Sequence, residues 1–197
     1  MTPHPHPPHG AGKSSFDLLE PEKLFPALDL HPGDTVVDLG CGEGRYALPL
    51  AARLGREGLV FAADLWEEGL AVLQDRAREQ GFSNIKTLRA DISQPLPLPA
   101  ASVDLAFMAT VLHDLAEAGQ AEGALAEAAR LVKPGGRLAV VEFKKIEEPP
   151  GPPLHIRLSP EETAELVLRY GFSRAKIVDI SPPLYLALFA KIAADRP

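Results

Sequence analysis

The stretch Thr35-Val36-Val37-Asp38-Leu39-Gly40-Cys41-Gly42-Glu43-Gly44-Arg45-Tyr46 decides how this chain folds. Its first half is a short apolar run rich in β-branched residues and entered from a Pro32-Gly33-Asp34 turn, which predicts a buried strand. Its second half is dense in glycine and leads into Tyr46-Ala47-Leu48-Pro49-Leu50-Ala51-Ala52-Arg53-Leu54, whose apolar spacing is helical. A strand that ends in glycines and opens a helix is a corner that suits a nucleotide. Glycine has no Cβ, so the backbone can approach a ligand closely. The helix N-terminus adds N–H groups without intrahelical partners.

A dinucleotide fingerprint spaces its glycines as G-x-G-x-x-G. Here the third glycine comes one residue early, and Asp38 stands just before the first. A pyrophosphate gains nothing from a carboxylate at that point, whereas a cationic ligand does. S-adenosylmethionine, with a sulfonium and an α-ammonium, fits that description. At this stage a NAD-type site and a plain tight turn remain open.

The next segments repeat the plan. Residues 58–64 read as a buried strand ending in Asp64, and 67–80 as a helix stopped by Gly81. Asp64 lies about one βα unit after the glycine turn, where a carboxylate can hold a ribose diol. S-adenosylmethionine and NAD both use that device, so Asp64 does not choose between them, and a helix N-cap is the plainer alternative. Leu65 follows, placed to pack against an adenine face. A third strand over 84–89 ends in Ala90-Asp91-Ile92 and a proline-rich loop, and a fourth spans 102–110. The loop 111–115 comes next, with His113 in it, then a helix over 120–132. Lys133-Pro134-Gly135-Gly136 signals a turn before a fifth buried strand. Residues 144–153 form a charged, proline-rich connection expected to be mobile. Ser159-Pro160-Glu161-Glu162 is a capping box opening a helix to about Tyr170. Two final strands, 175–180 and 184–192, are joined by Ser181-Pro182-Pro183 as an antiparallel pair.

Bulk properties narrow the reading. A chain of 197 residues with 46% hydrophobic content can bury one substantial core. A net charge of −7 argues against broad nucleic-acid binding. The single cysteine, Cys41, excludes an internal disulfide, so a cytoplasmic setting is expected. No apolar run is long enough for a membrane span. Residues 1–14 are expected to be a disordered tail, with a single domain over 15–197. His4, His6 and His9 are read as solvated side chains and no metal site is expected. Residues 16–28 read as an amphipathic helix or a pair of short turns.

Five segments in order, the glycine turn, Asp64, Asp91, the Leu112-His113 pair and Leu131-Val132-Lys133-Pro134-Gly135-Gly136-Arg137-Leu138, resemble the class I (Rossmann-like) S-adenosylmethionine-dependent methyltransferases. The ubiquinone/menaquinone-biosynthesis type is the nearest in character. The resemblance implies an α/β fold: a seven-stranded, mostly parallel sheet with helices on both faces and an antiparallel C-terminal strand. It implies S-adenosylmethionine as cofactor, with S-adenosylhomocysteine as product. The cofactor would be held by Asp38 near the ammonium, the backbone of Gly40, Cys41 and Gly42, Asp64 on the ribose, Leu65, Asp91 and Ile92 at the adenine, and the backbone at Ala109. The Cys41 thiol itself reads as a small packing group. His113 is the candidate base or acceptor contact, the alternative being a structural histidine. Glu142 and Lys144 are weaker candidates for the acceptor pocket, as are His155 and Arg157.

The acceptor is expected to be a small molecule, and a homodimer stays open. Base-modifying amino-methyltransferases carry Asn/Asp-Pro-Pro-Tyr/Phe at the end of the fourth strand, where this chain has Met108-Ala109-Thr110-Val111. Arsenic methyltransferases need several cysteines. A NAD-dependent oxidoreductase would need a catalytic Tyr-x-x-x-Lys, which is absent. A non-catalytic module binding S-adenosylmethionine or its demethylated product, or a partner subunit, is the remaining alternative.

Overall fold

A computed structural model describes residues 10–193. The seven strands are β1 (Thr35–Leu39), β2 (Leu59–Asp64), β3 (Ile85–Arg89), β4 (Val103–Ala109), β5 (Val132–Phe143), β6 (Phe172–Asp179) and β7 (Leu184–Lys191). They form one sheet in the order β3-β2-β1-β4-β5-β7-β6. The first five are parallel, and β7 enters antiparallel between β5 and β6. A seven-stranded, mostly parallel sheet with an antiparallel C-terminal strand is what the family resemblance implies.

Among the described residues six helices cover it: α1 (Pro21–Ala27), α2 (Ala47–Leu54), α3 (Glu67–Glu79), α4 (Leu112–Glu117), α5 (Ala121–Leu131) and α6 (Pro160–Leu168). Alternation along the strands sends successive side chains to opposite faces. Val36, Val60, Leu105 and Phe107 pack with α1, α2 and α3 on one side. Val37, Leu39, Ala106 and Met108 pack with α4, α5 and α6 on the other. Asp38 therefore shares the side of Val36, under the start of α2.

The helix over α6 opens on the expected capping box. The Glu162 N–H donates to Ser159 Oγ at 3.2 Å, and the Ser159 N–H donates to Glu162 Oε2 at 2.7 Å. Two local expectations change. Residues 111–115 are not a loop, because α4 begins at Leu112. The Pro-Gly-Gly signal does not separate a helix from a strand. Val103 pairs with Val132 and Leu105 with Arg137, so residues 133–136 loop out as a bulge within β5. The N-terminal reading of 16–28 as a pair of short turns holds, as a 3-10 turn (Phe16–Leu18) followed by α1. His4, His6 and His9 lie outside the described residues. Of the tail read as disordered over 1–14, residues 10–14 lie along the cleft described next.

Candidate functional site

The carboxyl ends of β1, β2, β3 and β4 open onto a cleft of about 850 Å³. It lies where β1 sits between β2 and β4, the point of strand-order reversal at which open α/β sheets take ligands. Residues 10–14 and 151–153, with His155 and Ile156, form its far side.

The glycine turn builds the floor. Gly40, Gly42 and Gly44 all have left-handed φ, at 81°, 52° and 74°, but they do different work. A Cβ on Gly44 would run into the Leu73 side chain, so this glycine lets α3 pack close. A Cβ on Gly42 would meet nothing within 4 Å, which leaves open space over the turn. Asp64 ties this turn to β2: its Oδ2 accepts from the Gly42 N–H at 2.8 Å and its Oδ1 from the Trp66 N–H at 2.8 Å. The Gly40 N–H donates to the Ala63 carbonyl at 2.8 Å, locking the turn's first residue to the same strand end.

Asp38 lies beneath the turn, 1% exposed, and does not itself line the cleft. Its Oδ2 has no hydrogen-bond partner among the described residues. Burial, reinforced by the negative charge of Asp64, pushes its pKa from 3.8 to about 8. An unpaired buried carboxylate is costly unless a donor or a cation answers it, so this oxygen is a place for a positive ligand group. The neighbouring Cys41 thiol is driven well above its ordinary range by burial and by the charges of Asp38 and Asp64. It is a buried packing thiol held away from the thiolate form.

The other predicted cofactor residues come together around this floor. Leu65, 46% exposed, stands at the lip as an apolar surface. Asp91 uses Oδ1 to accept from the Ser93 N–H at 2.9 Å and from Ser93 Oγ at 2.7 Å, which fixes the turn after β3. Ile92 and Ala109 complete the rim. Carboxylates at three strand ends, an apolar platform and a close backbone turn suit a ligand with a cationic end, a diol and a flat base.

His113 departs from expectation, for it does not border the cleft. It is 4% exposed. Its Nδ1 lies 2.6 Å from Glu142 Oε2, and its backbone N–H donates to Glu142 Oε1 at 3.1 Å. The reason is α4: one helical turn sends Val111, Asp114 and Leu115 toward the cleft and His113 toward the sheet. Burial alone would lower the imidazole pKa, but the hydrogen bond and charge of Glu142, with the charge of Asp114, outweigh burial and the opposing Arg157, and the pKa is raised. Glu142, wholly buried, is spent on this pair. Lys144 pairs with Asp179 at 3.1 Å. Neither lines the cleft, nor does Arg157, whereas His155 does.

Tyr46 and Thr110 line the cleft, and the buried Ser15 hydroxyl links them. Ser15 Oγ lies 2.7 Å from Tyr46 Oη and 3.1 Å from Thr110 Oγ1. Phe16 meets the Tyr46 ring edge-on at 5.1 Å, and Arg45 pairs with Asp17. The N-terminal segment is thereby pinned across the mouth of the cleft. Thr110 holds a left-handed φ of 52° without being glycine, a strain that accumulates at sites. No periodicity or motif flags either Ser15 or Thr110.

Compared with known protein families, residues 36–136 match the one described as "Methyltransferase domain". The ubiquinone/menaquinone biosynthesis C-methyltransferase UbiE of Ectopseudomonas mendocina (strain ymp) is 35% identical over 126 residues, 64% of this chain and 46% of that protein. The 27-O-demethylrifamycin SV methyltransferase of Amycolatopsis mediterranei (strain S699) is 28% identical over 130 residues, 66% of this chain and 46% of that one. The chain thus spans about half the length of the curated relatives it matches. Among solved structures, a SAM dependent methyltransferase from Aquifex aeolicus superimposes with a TM-score of 0.82 at 29% identity, covering 90% of this chain and 93% of that one. On the fold, the glycine turn and these matches together, the chain belongs to the methyltransferase-domain family, in its class I form, whose cofactor is S-adenosylmethionine.

Proposed function

We propose that the cleft binds S-adenosylmethionine and delivers its methyl group to a small-molecule acceptor. The observation that carries this reading is the unpaired, buried Asp38 Oδ2 beneath a glycine turn, a combination that asks for a cation where a dinucleotide would bring phosphate. Asp38 would answer the methionine ammonium. The backbone at Gly40, Cys41 and Gly42 would pass close to the ligand, Asp64 would accept from the ribose, and Asp91 and the Ile92 N–H would meet the adenine. Leu65 would cover the adenine face and the Ala109 backbone would close the far side.

When bound, the cofactor supplies a methyl carbon on a sulfonium leaving group, open to in-line attack. The protein's share is then alignment and exclusion of water. The 10–18 segment, pinned by Ser15, serves the second purpose. A general base is needed only for an acceptor protonated at working pH, and His113, held by Glu142, acts on this reading as a support for α4. The overall charge of −7 supports a small molecule over a nucleic acid. No helix among the described residues is long and apolar enough to cross a membrane; with the lone buried Cys41 this supports a cytoplasmic setting.

The test is transfer itself. The purified chain is incubated with methyl-labelled S-adenosylmethionine and a cell metabolite extract, and protein-dependent label in a small molecule is the expected result. Binding of S-adenosylhomocysteine without any transfer would replace the proposal with a non-catalytic binding module. Binding of NAD alone would overturn it.

A further inference from the structure

The wall of the cleft opposite the glycine turn is made by residues 151–153 with His155 and Ile156, which no cofactor motif accounts for. They belong to the connection between β5 and α6, and that connection is organised around one side chain. Arg157 is 4% exposed. Its Nε donates to the Pro152 carbonyl at 2.8 Å, Nη1 to Lys144 at 3.2 Å and Ile146 at 2.8 Å, and Nη2 to Glu148 and Pro150, both at 3.2 Å. A guanidinium has five N–H donors, and all five are used here. The acceptors are the carbonyls of residues 144, 146, 148, 150 and 152. An extended chain alternates its carbonyls, and here every second one turns inward onto the cation.

Sequence explains why the loop needs such a hub. Pro149, Pro150, Pro152 and Pro153 have no N–H to donate to a helix or a ladder. Arg157 instead organises the segment through its carbonyls, with charge-assisted bonds. Phe143 forms the base: the guanidinium lies 5.7 Å from its ring centre, and a Cβ on Gly151 would come within 2.6 Å of the ring. The loop thus lies against Phe143, with Gly151, Pro152 and Pro153 presented to the cleft.

We propose that Arg157 is a positioning residue that sets the shape of the acceptor-side wall. The proposal rests on the methyl-transfer reading above. Lysine cannot replace arginine here, because one ammonium cannot span carbonyls arranged around a planar fork. Arg157→Lys and Arg157→Ala in the full chain are expected to behave alike. Each raises the amount of metabolite extract that half-saturates labelled transfer tenfold or more. The plateau rate and the affinity for S-adenosylhomocysteine stay within threefold of wild type, and faster amide exchange is confined to 144–156. Gly151→Ala lifts the loop off Phe143 with Arg157 intact, and is expected to raise half-saturation in the same direction; it decides the matter if the Arg157 variants do not fold. Wild-type half-saturation in Arg157→Lys, or exchange that rises throughout the chain, overturns the proposal while methyl transfer stands. A wild-type chain that transfers no label overturns both.

Discussion

Replacing Asp38 with asparagine separates the cofactor's demand from the fold's. In the unliganded protein burial and Asp64 raise this carboxyl to about 8, so at pH 7 it is about nine-tenths protonated. A ligand that sets an ammonium against it must displace that proton. Titration with S-adenosylhomocysteine at pH 7, in buffers of different ionisation enthalpy, is expected to release about 0.9 proton per site, falling to about half a proton at pH 8. Affinity should tighten by up to about tenfold per pH unit on approaching pH 8 from below. Asp38→Asn should abolish both dependences and weaken binding by about ten- to a hundredfold, equivalent to about 1.4–2.8 kcal/mol. Stability moves the other way. Because the folded pKa is raised, the folded state holds a proton that the unfolded chain gives up. The favourable contribution is complete below about pH 4 and is lost as pH rises toward 8. The rise from 3.8 to about 8 sets this loss on the order of 5 kcal/mol. Asparagine avoids it, so the variant should melt higher at pH 7.5, by at least about 4 °C for a recovered 2 kcal/mol. Binding of wild type without proton release, together with an Asp38→Asn variant that binds equally well, would refute the assignment.

The two inner glycines should divide the same way. Gly42→Ala carries only the left-handed backbone cost, about 1 kcal/mol, because its methyl has open space; titration should show S-adenosylhomocysteine affinity down at least about tenfold. Gly44→Ala adds a clash with Leu73 to the backbone cost, about 3 kcal/mol in all, read as a lowered denaturant midpoint. His113→Ala leaves Glu142, 0% exposed, as a buried charge without its partner and should cost about 3–5 kcal/mol in the same assay. His113→Gln tests the pH sign. The raised imidazole pKa means that the pair's contribution is complete below the ordinary value of 6.5 and fades as pH rises through the folded value. The melting gap between wild type and this variant should therefore narrow from pH 6 to pH 9, and a constant gap contradicts the pairing.

The parts of the fold legible in sequence are those written in short-range pattern. Val36-Val37 and Val140-Val141 announce buried strands, Gly81 and Gly171 end helices, and Ser159 to Glu162 spell out a cap that forms as read. Acidic strand ends at Asp64 and Asp91 line the cleft, and Asp38 lies buried under its glycine turn, because each needs only its own strand and the following turn. What stays hidden depends on contacts far apart in the chain. His113 faces inward because Glu142, 29 residues on, takes both its backbone and its ring. Ser15 reaches Thr110 across 95 residues. Arg157 looks like an isolated cation until the loop 144–152 is seen to wrap around it. In each case the side chain itself is polar and buried, and a window of sequence cannot show where a polar group finds its partner.

A structure of the chain crystallised with S-adenosylhomocysteine tests the central claim most directly. The predicted result is the ligand ammonium within hydrogen-bond reach of Asp38, the ribose hydroxyls on Asp64 and the adenine beside Leu65, Asp91 and Ile92. Ligand bound elsewhere, with the turn from Gly40 to Gly44 left bare, would contradict it.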